Sequence, residues 1–202
     1  TVSGPHATDS ITVSVADGDA DASNNAGFIS GNTPSTVAGV ADFSALRISG
    51  KVSTNYTLTF SVTYLDSGSV SRTKTATQAV TLTPGDAAKL GITTQAAGFV
   101  NRSNFTTQPI VAIQDADGNT VTTATDTVAV AVTAASGTST QGLTGTTSVA
   151  AVSGVATFAG LGKTGLVGDK TLTFSSGSLT SATQAFTLTF GAANKLSMTS
   201  PT

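Results

Sequence analysis

The sequence predicts an all-β protein built from repeated two-sheet sandwiches. Three observations predict it: an internal repeat, period-two apolar alternation inside the repeated blocks, and turn residues at short intervals between them. The repeat is the strongest. ATQAVTLTPGDAAKL, starting at Ala76, recurs as ATQAFTLTFGAANKL from Ala182, an offset of 182 − 76 = 106 residues. Gly85 maps to Gly191, Lys89 to Lys195 and Leu90 to Leu196 without a gap. Repetition at a fixed spacing marks stacked or tandem units.

Other blocks match in the same order with small changes of offset. ATDSITVSV from Ala7 pairs with ATDTVAVAV from Ala124, VAGVADFSAL from Val37 with VSGVATFAGL from Val152, and TLTF from Thr57 with TLTF from Thr171. Length differences fall between the blocks, as expected of loops that vary over a shared framework. The boundaries follow from these matches. Residues 85–190 form one complete unit. Residues 1–84 form a unit without its first two strands, since nothing before Ala7 matches AKLGITTQ or TTQPIVAIQDADGN. Residues 191–202 open a third unit with NKLSMTSPT. The chain is therefore expected to start and stop inside units. A longer parent polypeptide would supply the missing strands. The alternative is exchange between copies, in which the strand near Lys195–Thr199 completes the open unit of the next chain.

Strands are expected because one buried face requires side chains to alternate. Ile11, Val13 and Val15 share a face, as do Val128, Val130 and Val132. So do Leu58 and Phe60, Val80 and Leu82, Leu172 and Phe174, and Phe186 and Leu188. Leu90 and Ile92 open the complete unit, and Val111 and Ile113 lie on its second strand. Its predicted core is Val128, Val130, Phe158, Leu161, Leu172, Phe174, Phe186 and Leu188. Turns are expected at Gly31-Asn32, Pro84-Gly85, Asp117-Gly118-Asn119, Ser153-Gly154 and Ser176-Gly177. No segment has a sustained helical period with caps, which argues against a βαβ arrangement.

Composition agrees. The 202 residues suffice for two units of roughly 100 residues each. Hydrophobic residues make up 39%, enough for packed cores, while charged residues make up 10% against about 25% in an ordinary soluble domain. Glutamate is absent, and Thr and Val suit a pleated, half-buried surface. The net charge of −2 and the lack of a basic patch argue against nucleic-acid binding. No apolar run approaches the roughly 20 residues of a membrane-spanning helix. The absence of cysteine excludes disulfides, thiolate metal sites and cysteine nucleophiles.

In PIVAIQDADGNTV (Pro109–Val121), SGVATFAGL (Ser153–Leu161) and KTLTFSSGSLT (Lys170–Thr180), the complete unit resembles the bacterial immunoglobulin-like repeats. These occur in invasin- and intimin-type adhesins and in very large tandem-repeat surface proteins; filamin-type repeats are a more distant likeness. The resemblance covers Gly85–Phe190 well and Ala7–Thr83 more weakly. It implies tandem immunoglobulin-like β-sandwiches, an extracellular or cell-surface location, and neighbouring repeats as partners. It also implies a spacer role, with any glycan or protein ligand held at a tip outside this chain.

Chemistry has little to work with. His6 is the single histidine and stands beside Pro5, with no G-x-S-x-G context for a triad. Asp115 and Asp117 lie close enough for paired-carboxylate chemistry, but DADGN reads first as a hairpin turn. Asp17, Asp19 and Asp21 alternate like the first ligands of a calcium loop, and hard oxygen ligands suit calcium. The EF-hand pattern then fails at Ala22, where it needs Gly, and at Phe28, where it needs Glu. The bland reading there is a solvated acidic loop. Lys89 and Lys195 lie on first strands, where lysine–asparagine crosslinks stabilise some surface sandwiches, but no suitable acid stands beside an Asn on the last strand. GLGKTG (Gly160–Gly165) lacks the first glycine of a phosphate loop. With no Trp, and with Tyr56 and Tyr64 the only tyrosines, stacking on sugars has few platforms. The expectation is a non-catalytic spacer without a cofactor, calcium aside. The alternatives are a ligand-binding adhesin module and a subunit of a self-assembling filament or surface layer.

Overall fold

A computed structural model of the chain describes residues 11–17, 27–34, 36–37, 40–52, 55–134, 137–139 and 142–193. Among them there is no helix. The chain is all-β, with antiparallel sheets, and divides into two compact units, Thr1–Pro84 and Gly85–Thr202.

The first unit contains β1 (Ile11–Asp17), β2 (Gly27–Ser30), β3 (Thr36–Val37), β4 (Val40–Ala41), β5 (Arg47–Ser49), β6 (Asn55–Leu65) and β7 (Ser71–Thr81). Its main sheet runs β1-β6-β7, beside the small pairs β2–β5 and β3–β4. Alternation sets the faces of β6. Tyr56 and Leu58 are buried, whereas Asn55 and Thr57 are exposed. Val13, buried on β1, lies opposite Phe60. Threonines stand on the other face, where the Thr63 and Thr73 hydroxyls meet at 3.2 Å across the β6–β7 pair. The hairpin tip is closed by Asp66, whose carboxylate accepts from the backbone amides of Gly68 and Val70 and from Arg72 Nε. The Val70 amide first, then the Arg72 side chain, hold the Asp66 carboxyl below its ordinary pKa.

The second unit contains β8 (Lys89–Thr94), β9 (Ser103–Asn104), β10 (Ile110–Gln114), β11 (Thr127–Ala134), β12 (Gly137–Ser139) and β13 (Leu143–Thr144). It continues with β14 (Ser148–Ala150), β15 (Val155–Thr157), β16 (Gly162–Lys163), β17 (Gly168–Ser175) and β18 (Ala182–Leu188). One sheet runs β15-β10-β8. A second runs β12-β11-β17-β18, with β14 also on β11, and a small third runs β13-β16-β9. Buried side chains from both main sheets form one apolar cluster, giving a sandwich-like unit. Every residue of the predicted core is in that cluster: Val128, Val130, Phe158, Leu161, Leu172, Phe174, Phe186 and Leu188. At roughly 1.5–3 kcal/mol for each large apolar side chain removed from water, this cluster is the main source of stability. The Ser153-Gly154 turn has φ of 50° and 77°, the pair of positive values a tight type I′ hairpin needs. A Cβ on Gly154 would lie 2.4 Å from the Val121 carbonyl oxygen, so glycine is required there.

Blocks that match in sequence occupy matching places. The order β1-β6-β7 has its counterpart in β11-β17-β18. Val37 pairs with Val40 as Val152 pairs with Val155. Phe43 meets Phe60 edge-on at 5.0 Å, and their counterparts Phe158 and Phe174 meet at 5.4 Å. Burial differs. Phe158 and Phe174 are 1% and 0% exposed, whereas Phe43 and Phe60 are only half-buried.

Candidate functional site

Of the residues the sequence singles out, His6, Asp19, Asp21 and Lys195 lie outside the described residues, so no geometry attaches to the calcium candidate as a set. Asp17 ends β1, in register with Tyr56. Among the described residues no group of three or more His, Cys, Asp or Glu side chains could hold a metal ion.

The Asp115–Asn119 turn is the most elaborate polar cluster. Asp115 leaves the end of β10 and is 5% exposed. Its Oδ1 accepts from the Asn119 amide at 2.8 Å; its Oδ2 accepts from Asn119 Nδ2 at 2.9 Å and from the Gly85 amide at 3.0 Å. The backbone closes the turn, with Asp115 N donating to Asn119 O and Gly118 N to Asp115 O. Gly118 has φ of 83°, and Asp117 points into solvent. Burial alone would raise the Asp115 carboxyl. The bonds from Asn119, Gly85 and Asp117 outweigh it, and the net shift is downward. The carboxylate is fully engaged in tying the unit's opening residue to its second hairpin. It is not paired with Asp117 for acid–base work. Lys89 belongs to the same corner, donating to the Ala116 carbonyl at 2.8 Å.

Within GLGKTG only Gly162–Lys163 are strand, and they form β16 in the small third sheet. Leu161, Gly162 and Lys163 are buried, and Gly162 and Lys163 pair with Asn104 and Ser103 on one side and Thr144 and Leu143 on the other. Their amides are therefore not turned toward an anion. Lys163 Nζ donates to the Thr164 carbonyl at 2.6 Å. Burial, and then the charge of Lys170, lower its pKa.

Three amide side chains absent from the sequence reading do the positioning. Gln184, on the inner side of β18, accepts from the Ala96 amide at 2.9 Å and donates to the Ala96 carbonyl at 2.7 Å. Gln108 donates to the carbonyls of Phe105 and Leu161 and accepts from the Leu161 amide. Asn101 exchanges a pair of bonds with the Gly165 backbone. Each staples a loop without strand pairing of its own to the sheets. No buried side-chain nitrogen or oxygen among the described residues lacks a partner. The sequence signal for such residues is thin: an amide where the alternation calls for an apolar side chain, as Gln184 stands between Ala182 and Phe186.

A shallow groove of about 530 Å³ lies on the second unit, lined by Thr133, Asp169, Lys170, Thr171, Phe186 and Thr187. Its carboxylate is occupied, since Thr187 Oγ1 donates to Asp169 Oδ1 at 2.6 Å. Tyr56 is fully buried and donates its hydroxyl to the Lys51 carbonyl at 2.8 Å, so it is a core residue rather than a stacking platform. No helix among the described residues is long and apolar enough to cross a membrane.

No family model and no curated protein matches the chain. Solved structures similar to it include a β-glycosidase from Bacteroides vulgatus, at TM-score 0.39 and 11% identity. A β-glucuronidase from Parabacteroides merdae matches at 0.38 and 11%, and β-glucuronidase 3 from Bacteroides uniformis at 0.38 and 13%. Each match covers 89% of this chain but 21% of the other. Likeness at that level carries no argument about fold or activity.

Proposed function

We propose that the chain is a non-catalytic spacer segment of a large exported cell-surface protein, built from tandem immunoglobulin-like sandwich repeats. The observation that carries this reading is the use made of polar side chains. Asp115, Gln108, Gln184 and Asn101 each spend their hydrogen-bonding capacity on the fold's own backbone. The matched order of β1-β6-β7 and β11-β17-β18 supports the repeat reading, since a spacer gains length by repeating one unit. A threonine-rich, weakly charged surface suits a segment that needs no partner beyond its neighbours.

The test is exposure on the cell. Antibody raised against the chain should label intact cells of the organism that encodes it, and brief external proteolysis should remove the label. Labelling only after permeabilisation would refute the surface location. Specific retention of one glycan or protein on an array, lost on changing Asp17, Asp19 and Asp21 to Ala, would favour the adhesin reading instead.

A further inference from the structure

In the second unit the segment that opens the unit and the segment that closes it run side by side in the same direction. Parallel bridges join Lys89 to Thr180 and Val100 to Thr189. At the near end Leu90 N donates to Thr180 O at 2.9 Å, and Thr180 N donates to Ala88 O at 3.0 Å. Midway, the Gln184 side chain holds both backbone groups of Ala96. At the far end Asn101 N donates to Thr189 O at 3.0 Å, and Thr189 donates to Phe99 O from its amide at 2.9 Å and from its hydroxyl at 3.0 Å. β8 and β18 are edge strands of different sheets, so these bonds tie one main sheet to the other.

Direction decides what such bonds can do. Tension along the chain enters the unit at Gly85 and leaves it at Gly191. It draws the opening segment back from its N-terminal end and the closing segment forward from its C-terminal end. Parallel partners pulled in this way slide past each other, so the bonds at the near end, the middle and the far end carry the load together. A pull that opened a pair from one end would part them one at a time. The Gly85 amide, held by Asp115 Oδ2, lies upstream of these bonds and is released before they are loaded.

Two features strengthen the contact. Ala96 is 3% exposed and Gln184 9%, so water is kept from replacing their bonds as they stretch. The far end is fixed from behind by Phe99, whose ring centroid lies 4.4 Å from that of Phe186 on β18 and 4.9 Å from that of Phe105.

We propose that the parallel contact between Ala88–Asn101 and Thr180–Thr189 is a shear clamp that bears tension along the chain, with the Gln184 amide at its centre. Gln184 is a positioning residue: it acts by holding the Ala96 backbone against β18. As a device for a spacer under load, the clamp rests on the function proposed above.

The experiment holds the full chain by its two ends at constant force and reads the lifetime of the second unit. Gln184→Ala should shorten that lifetime on the order of tenfold, because two backbone-directed hydrogen bonds are lost from the step that limits unfolding. Thr189→Val, at an exposed position, removes only the hydroxyl bond to Phe99 O and should shorten it severalfold. Asp115→Ala, which also loses buried hydrogen bonds but lies outside the clamp, should leave it unchanged. So should Gln78→Ala, the same substitution at the matching place of the first unit (184 − 78 = 106), where the side chain is exposed. Equal shortening by Gln184→Ala and Asp115→Ala overturns the inference, since the bonds would then add stability without bearing load. A lifetime that Thr189→Val leaves unchanged overturns it too, and that variant decides the matter if Gln184→Ala does not fold. Labelling of intact cells is independent of all these lifetimes, so the clamp and the surface location can fail separately.

Discussion

Asp115 shows what a single polar residue contributes here. Its carboxylate holds the Gly85 amide and both amides of Asn119. Asp115→Ala should cost about 1–3 kcal/mol by leaving buried donors unpaired. The same bonds set a pH dependence. The folded carboxyl lies below its unfolded value, so its stabilisation is complete above the ordinary carboxylate range and is lost as pH falls through the folded value. The parent's second unit should lose more melting temperature between pH 7 and pH 3 than Asp115→Asn does; parallel losses would show that the bonds contribute nothing. Gln184→Ala should cost a similar 1–3 kcal/mol, since Ala96 loses partners for both its N–H and its C=O. Gln78→Ala, at an exposed position, should stay within about 0.5 kcal/mol. Equal losses from the two would contradict the difference between the units.

At the scale of elements, periodicity made the long strands legible. Val128, Val130 and Val132 on β11, and Leu172 and Phe174 on β17, show one buried face in the sequence and in the structure alike. The turn at Asp117-Gly118-Asn119 was equally plain, because few residues tolerate its geometry. The short strands β9, β13 and β16 were not legible, since two residues make no period and their pairing is fixed by partners 18 to 60 positions away, from Thr144 with Gly162 to Ser103 with Lys163. Burial of Lys163 follows from that pairing and leaves no trace in the sequence. The aromatic pairs give a direct comparison of elements. Phe174→Ala, at a sealed position, should cost about 3–5 kcal/mol. Phe60→Ala, at a half-buried position, should cost less. Calorimetry showing the reverse order would contradict the assignment of cores.

At the scale of the molecule, the repeat carried most of what the sequence could tell, from the division near Pro84 to the shared strand order. What it could not tell was how the units differ, because identical motifs such as ATQA at Ala76 and Ala182 sit in open and covered surroundings. Calcium belongs to this scale too. The acidic loop is confined to Asp17, Asp19 and Asp21, and the second unit has TAASGTSTQG in its place. Calcium should therefore leave the melting of the second unit unchanged, and a clear rise in its transition would place an ion where none is expected.

A spacer of the proposed kind must keep its length under load without any ligand. Pulling the full chain between its ends in a single-molecule force experiment tests this directly. The account predicts a distinct unfolding event for the second unit, with a contour gain on the order of 300 Å at about 3.3–3.6 Å per extended residue, unchanged by added calcium or glycans. Extension with no resolved force peak, or a peak that emerges only with a bound ligand, would contradict it.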